Sequence, residues 1–249
     1  MIEILDLEPD RTVSEAEYRR LLGYPRGKAP GDRAWQLAAW ARSWYSAHGR
    51  PWLYLREVSV EISAGELVLD GTRFASERIR RHLHDAGADR AVLFAVSAGT
   101  ECEDEARSLW EAARPDEYFF LEVLGSAMVE HLVAAATSRI CTLAAAEGLR
   151  ATPHFSPGYP GWDVAEQPRL LALLVRGSRQ PLPDRLETLP SGMLQPKKSQ
   201  LGVIGLTRRS GATAPAVPCA ACSFSPCPYR RVPYRGERAE RLPATMPGA

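Results

Sequence analysis

Hydrophobic and polar positions follow two alternating periods along this chain. Leu37, Trp40, Ala41 and Trp44 fall at helical spacing and predict a helix over 34–47 with that stripe buried. The three tryptophans there, Trp35, Trp40 and Trp44, read first as core packing and second as a ligand platform. Over 57–62 the sequence V-S-V-E-I changes the period to two, which predicts a half-buried strand. Residues 63–66 turn the chain, and 67–69 return as a hairpin partner. Ser76 caps a predicted helix that runs to about Ala86 and stops at Gly87. An apolar strand over 90–96 leads through Ser97-Ala98-Gly99-Thr100 into a helix over 101–113, whose acidic first turn suits the helix dipole. The longest helical pattern covers 118–147, with Gly125 inside it and no proline. A short helix over 15–22 capped by Ser14, a helix over 165–175 and a glycine-interrupted strand over 201–206 complete the pattern. Residues 177–199 read as irregular, and no internal repeat is present. Hairpin signals without strict βαβ alternation predict an α+β fold with a mostly antiparallel sheet.

Composition adds limits. The chain has 249 residues, 24% charged and 45% hydrophobic, with a formal net charge of +1. This is globular composition, and a chain of this length buries roughly three quarters of its unfolded surface. The near-zero charge argues against a simple electrostatic nucleic-acid binder. No uninterrupted apolar run approaches the roughly 20 residues of a membrane span. The acidic opening MIEILDLEPDRT lacks the basic and apolar regions of a signal peptide. The expectation is a cytoplasmic protein with neither nucleic acid nor membrane as partner. Its core is expected over 1–207. A cysteine-containing, arginine-rich segment over 208–249 is expected to pack on that core or trail from it. The arginines there either steer an acidic partner or form a solvated strip.

Two segments carry unusual local chemistry. In His154-Phe155-Ser156-Pro157-Gly158-Tyr159-Pro160, the two prolines frame Gly158 and Tyr159 in a rigid, exposed loop. It can offer backbone groups and a phenol to a polar ligand, or simply connect two helices. Ser191 to Ser199 is a small, polar, basic loop that enters a strand containing Gly202 and Gly205. Those glycines would let a flat ligand or another backbone lie close.

The five cysteines are unevenly placed. Cys102 and Cys141 are isolated, while Cys219, Cys222 and Cys227 lie close together between Pro218 and Pro228. In a reducing compartment such a trio favours a metal site over a disulfide framework. Three readings stay open: an iron–sulfur cluster, for which the proline after the last cysteine is a ferredoxin-like feature; structural zinc, which needs a fourth ligand and finds no nearby histidine; and unligated redox thiols. Cys102 or Cys141 is the candidate fourth ligand.

Together, SPGYPGW, the downstream Gln167 and MLQPKKSQLGVIG resemble the activation (reactivation) domain of cobalamin-dependent methionine synthase. They are closer still to its stand-alone relatives, over roughly 91–229. The resemblance implies a C-shaped sheet with packed helices that binds S-adenosylmethionine. It implies docking on a corrinoid-binding protein, or on a split methionine synthase, whose cobalamin has slipped to cob(II)alamin. An electron from a reductase, ferredoxin or flavodoxin and the methyl of S-adenosylmethionine then restore methylcobalamin, a methyltransferase-type repair.

By position, the resemblance implies that Ser156, Gly158 and Tyr159 hold the ligand, with Tyr159 where the ligand meets the corrin face. His154 stands where the family has arginine, whose bidentate fork imidazole does not reproduce. Glu130 aligns with a glutamate near the ligand and otherwise reads as a helix-surface residue. Gly202 belongs to the ligand groove. The attached domain of methionine synthase lacks the cysteine trio and relies on an external flavoprotein. An iron–sulfur cluster at Cys219, Cys222 and Cys227 would suit an electron relay. The runner-up reading is a non-catalytic metal-binding module that docks on a corrinoid or methyltransferase partner.

Overall fold

The structure, a computed structural model, describes residues 2–24, 29–63, 65–183 and 185–209. Cys219, Cys222, Cys227 and the arginine-rich tail lie outside these residues.

The main sheet is antiparallel at every pairing. Its strands are β1 (Glu3–Asp6), β2 (Trp52–Ile62), β3 (Leu67–Leu69), β4 (Thr72–Phe74), β5 (Arg90–Ser97), β6 (Arg150–Ala151) and β9 (Ser199–Thr207). A separate two-stranded ribbon joins β7 (Glu187–Thr188) to β8 (Leu194–Gln195). The order across the main sheet is β4-β3-β2-β5-β9-β6. Beside β2, β1 takes the 53–56 stretch and β3 takes 60–62. The long ladders β2–β5 and β5–β9 form the centre, with Tyr54 opposite Ala95 and Ala95 opposite Leu201.

Helices cover both faces. One core packs Leu53, Leu55, Val92, Phe94, Val96 and Ile204 against α2 (Asp32–His48), α4 (Thr100–Glu111) and α5 (Pro115–Ala146). The short α1 (Glu15–Leu21) joins this core through Tyr18, whose hydroxyl donates to the Phe120 carbonyl at 2.7 Å. A second core packs Trp52, Tyr54, Leu93, Ala95, Leu201 and Val203 against α3 (Glu77–Ala86) and α6 (Gln167–Arg176). Successive residues of a strand point to opposite faces, so β2 and β5 feed both cores.

The expected strand over 57–62, with its alternation, is the outer end of the longer β2. Burial is continuous from Trp52 to Val58 and alternates only beyond it. Even the charged residues in the middle, Arg56 and Glu57, are buried, and each has a charged and a backbone partner, while Arg56 Nε has none among the described residues. Arg56 donates to Asp70 Oδ2 and to the Leu173 carbonyl, both at 2.9 Å. Glu57 accepts from the Ile2 amide and from Arg90, both at 2.8 Å.

Local signals placed other elements as read. Ser76 accepts from the Ile79 amide at the start of α3, and Gly87 closes the helix at φ 63°. Two readings change. The most buried stripe of α2 is Ala38, Ala41 and Tyr45, with Leu37, Trp40 and Trp44 at its flanks. And α5, at 32 residues with a window of mean hydropathy 1.5, is long and apolar enough to cross a bilayer. Half of that window is buried within the fold, where Leu121, Leu124, Met128 and Leu132 face the first core.

Candidate functional site

The chain after β6 runs along the free edge of β9. The Thr152 amide donates to the Gly205 carbonyl, and Phe155 and Val203 exchange both backbone hydrogen bonds at 2.9 and 2.8 Å. His82 of α3 supports this run. Its Nε2 lies 3.1 Å from the Pro153 carbonyl, which can only accept, so that nitrogen carries the proton. Burial lowers the His82 pKa and favours the neutral ring.

The loop then closes on itself. The Tyr159 amide donates to Ser156 O, the Trp162 amide to Tyr159 O, and the Gly158 amide to Trp162 O, at 2.8–3.1 Å. Gly158 takes φ +89°, a value L side chains rarely adopt, and the space its Cβ would fill is open. Trp162 is buried beneath the loop, stacked with Phe155. Its indole donates to Glu166, which also accepts from the amides of Ala75 and Ser76. The start of α3 therefore holds the far end of the loop.

The second segment meets the first across a cavity of about 210 Å³. Ser156, Pro157 and Tyr159 line one side; Met193, Leu194, Lys197, Ser199 and Gln200 line the other, with Val164 and Gln167 between them. Gln200 ties the two walls together, its Nε2 lying 3.0 Å from Ser156 Oγ and 3.2 Å from the Tyr159 hydroxyl. His154 is buried, with Nε2 3.0 Å from the same hydroxyl and its ring edge-on to Phe94. Gln167, 7% exposed, donates Nε2 to the Gly192 carbonyl at 2.8 Å and so fixes the turn between β7 and β8. Beyond the cavity, Lys197 and Lys198 both reach Glu122 of α5, at 2.9 and 3.2 Å. Lys198 also donates to Ser126 Oγ at 2.8 Å.

The structure thus brings Ser156, Gly158, Tyr159 and His154 to one place. It does not bring Glu130 there. Glu130 is exposed and lines a different cleft of about 270 Å³ with Leu21, Val123 and Ser126. Gly202 is also not open to a ligand: a Cβ on it would come 2.4 Å from the Phe94 ring and 2.7 Å from Ser156 Oγ. The close approach this glycine permits is that of protein side chains. Of the isolated cysteines, Cys102 is sealed in the first core, where burial pushes its thiol up to about 12. Cys141 is exposed on α5. Among the described residues no group of three His, Cys, Asp or Glu converges as a metal site.

Gln200, Lys198, His82 and Glu166 also shape the site, and the sequence does not single them out. Gln200 and Lys198 lie inside a stretch already recognised as unusual, and their signal was the strand period that turns Gln200 toward the loop. His82 and Glu166 carried no local signal, because each acts on residues some seventy to ninety positions away in the chain.

Among the described residues the cavity walls offer hydroxyls, carboxamides and apolar side chains, with Lys197 the one charged residue lining it. Such a lining suits binding and orientation of a largely neutral ligand surface. An antiparallel sheet covered on both faces by helices, with this groove at one edge, defines an α+β domain. The solved structure "MetH Reactivation Domain bound to AdoHcy" shares that architecture. It superposes with a TM-score of 0.55 at 14% sequence identity, over 78% of this chain and 70% of that one. The chain has the fold of the MetH reactivation domain. No protein-family model matches the sequence, and neither does any curated protein.

Proposed function

We propose that this protein binds S-adenosylmethionine in the groove between the Ser156–Tyr159 loop and the 192–200 segment, and that it serves the reductive reactivation of a corrinoid protein. The observation that carries the reading is the convergence of both unusual segments on one cavity, in a fold whose solved counterpart holds AdoHcy. The lining fits such a ligand: apolar walls for flat or aliphatic parts, and neutral hydrogen-bonding groups for hydroxyls and amines. At about 210 Å³ the cavity is smaller than the roughly 300–1,000 Å³ of closed ligand pockets, so it seats part of the ligand and leaves the rest along the open groove.

In this reading S-adenosylmethionine supplies a methyl group, and the cobalamin that receives it belongs to the partner. Ser156, Tyr159, Gln200 and Gln167 orient the ligand. His154 holds the Tyr159 hydroxyl in place of the direct ligand contact an arginine would make. Cys219, Cys222 and Cys227 are proposed as one thiolate metal centre, iron–sulfur or zinc, and Cys141 is the accessible candidate for a fourth ligand.

Titration calorimetry with S-adenosylmethionine and AdoHcy tests the binding. Micromolar or tighter saturable binding that is lost in Tyr159→Ala supports it, and absence of heat for both ligands refutes it. Restoration of methylcobalamin on a cob(II)alamin-loaded corrinoid protein, with a chemical reductant, tests the role.

A further inference from the structure

Gln167 is one of the most constrained polar residues of the cavity. It is 7% exposed, begins α6 and donates Nε2 to the Gly192 carbonyl at 2.8 Å. A carbonyl can only accept, so this bond fixes which end of the carboxamide points where. Nε2 is the end of the carboxamide that faces Gly192, and no described residue donates a hydrogen bond to the other end, Oε1. Gln167 lines the cavity beside Val164, Met193 and Leu194. A largely buried residue therefore presents a fixed, neutral acceptor among apolar side chains.

We infer that Gln167 is a specificity-determining residue that reads a hydrogen-bond donor on a planar ring, the exocyclic amine of a 6-aminopurine. The inference rests on the S-adenosyl reading of the groove. The choice of donor follows from charge. Among the described residues no carboxylate lines the cavity, and Lys197 is the one charged lining residue. An ammonium group desolvated here would lack an anionic partner, whereas a neutral amine needs only a carbonyl oxygen. The apolar side chains around Gln167 suit the faces of a flat ring, and the volume suits one portion of a nucleoside. A purine with a carbonyl at the same position would set oxygen against oxygen and leave both unsatisfied.

The test compares AdoHcy with S-inosylhomocysteine, in which that amine is a carbonyl, by calorimetry on the full chain. The wild type should prefer AdoHcy by roughly ten- to hundredfold. Gln167→Met keeps the length and removes the acceptor, and should cut the preference to within about threefold while a melting curve confirms folding. Equal affinity of the wild type for both compounds overturns the inference and leaves the groove as a nucleoside site. So does a folded Gln167→Met protein that keeps the full preference. Failure of the wild type to bind either compound defeats the S-adenosyl reading itself, and the inference falls with it. The wild-type ratio decides the matter even where the variant does not fold.

Discussion

Phe94 and Gly202 face each other across the β5–β9 ladder, and the Phe94 ring occupies the volume that a side chain at 202 would fill. The same ring meets His154 edge-on, with centroids 5.9 Å apart. Ser156 Oγ lies 2.7 Å from where that missing Cβ would stand. One absent side chain in the central ladder thus lets the loop settle against the sheet.

Gly202→Ala should therefore disturb both stability and the loop. A methyl group 2.4 Å from ring carbons forces Phe94 or the strand to move. Overpacking of this kind costs about 1–3 kcal/mol. Thermal denaturation should register the loss, and AdoHcy affinity should fall as Ser156 is displaced. An unchanged melting temperature would contradict the packing described.

Gly158→Ala should act differently, because the space around Gly158 is open and its cost lies in the backbone angle of +89°. The expected penalty is about 1–3 kcal/mol, confined to the loop. Global stability should change less than ligand affinity does, a split that calorimetry and melting curves on the same sample resolve.

Cys102 provides a pH signature. Burial raises its thiol from an ordinary value near 9 to about 12. Between those values the unfolded chain loses this proton and the folded one keeps it. The raised pKa therefore contributes stability that is full below about pH 9 and is lost as pH climbs toward 12. Cys102→Ala should flatten the alkaline limb of the stability curve, apart from a uniform loss for the vacated volume. Alkylation followed by peptide mass spectrometry should label Cys141 in the native protein and Cys102 only on unfolding.

Glu122 receives both Lys197 and Lys198 with its own side chain 15% exposed. Glu122→Gln leaves two cations sharing a neutral acceptor at the rim of the cavity. A loss of about 1–2 kcal/mol is expected, less than for a fully buried pair because Lys197 remains partly solvated. The 196–200 segment should loosen with it, so AdoHcy should bind more weakly. Denaturant unfolding and calorimetry check the two effects.

Much of this architecture was legible because local signals decided it. Ser76 and Gly87 bounded a helix by capping chemistry alone, and 67–69 paired with 60–62 as the turn between them required. Residues 52–56 give no strand signal, since WLYLR alternates for neither one buried face nor the other; both faces are covered, and only the tertiary arrangement reveals that. The two-residue strands β6, β7 and β8 are too short for any period to show. At the site, the loop and the 192–200 segment stand out by composition, whereas nothing in the sequence tells that the neighbour of Gly202 is Phe94. A glycine in a strand announces close approach without naming what approaches.

The burial of β5 on both edges and both faces sets an order of exchange for the backbone amides. Ladders to β2 and β9 flank β5, and a separate core presses on each side of it. Its amide protons should trade with deuterium only when the whole domain opens. The run from Thr152 to Phe155 is secured to β9 by a few backbone bonds and lies at the rim of the sheet. It can open by itself, and should exchange well ahead of β5. The same rim carries the ligand loop, so a bound ligand that bridges Ser156 and Gln200 should slow exchange there while leaving β5 unchanged.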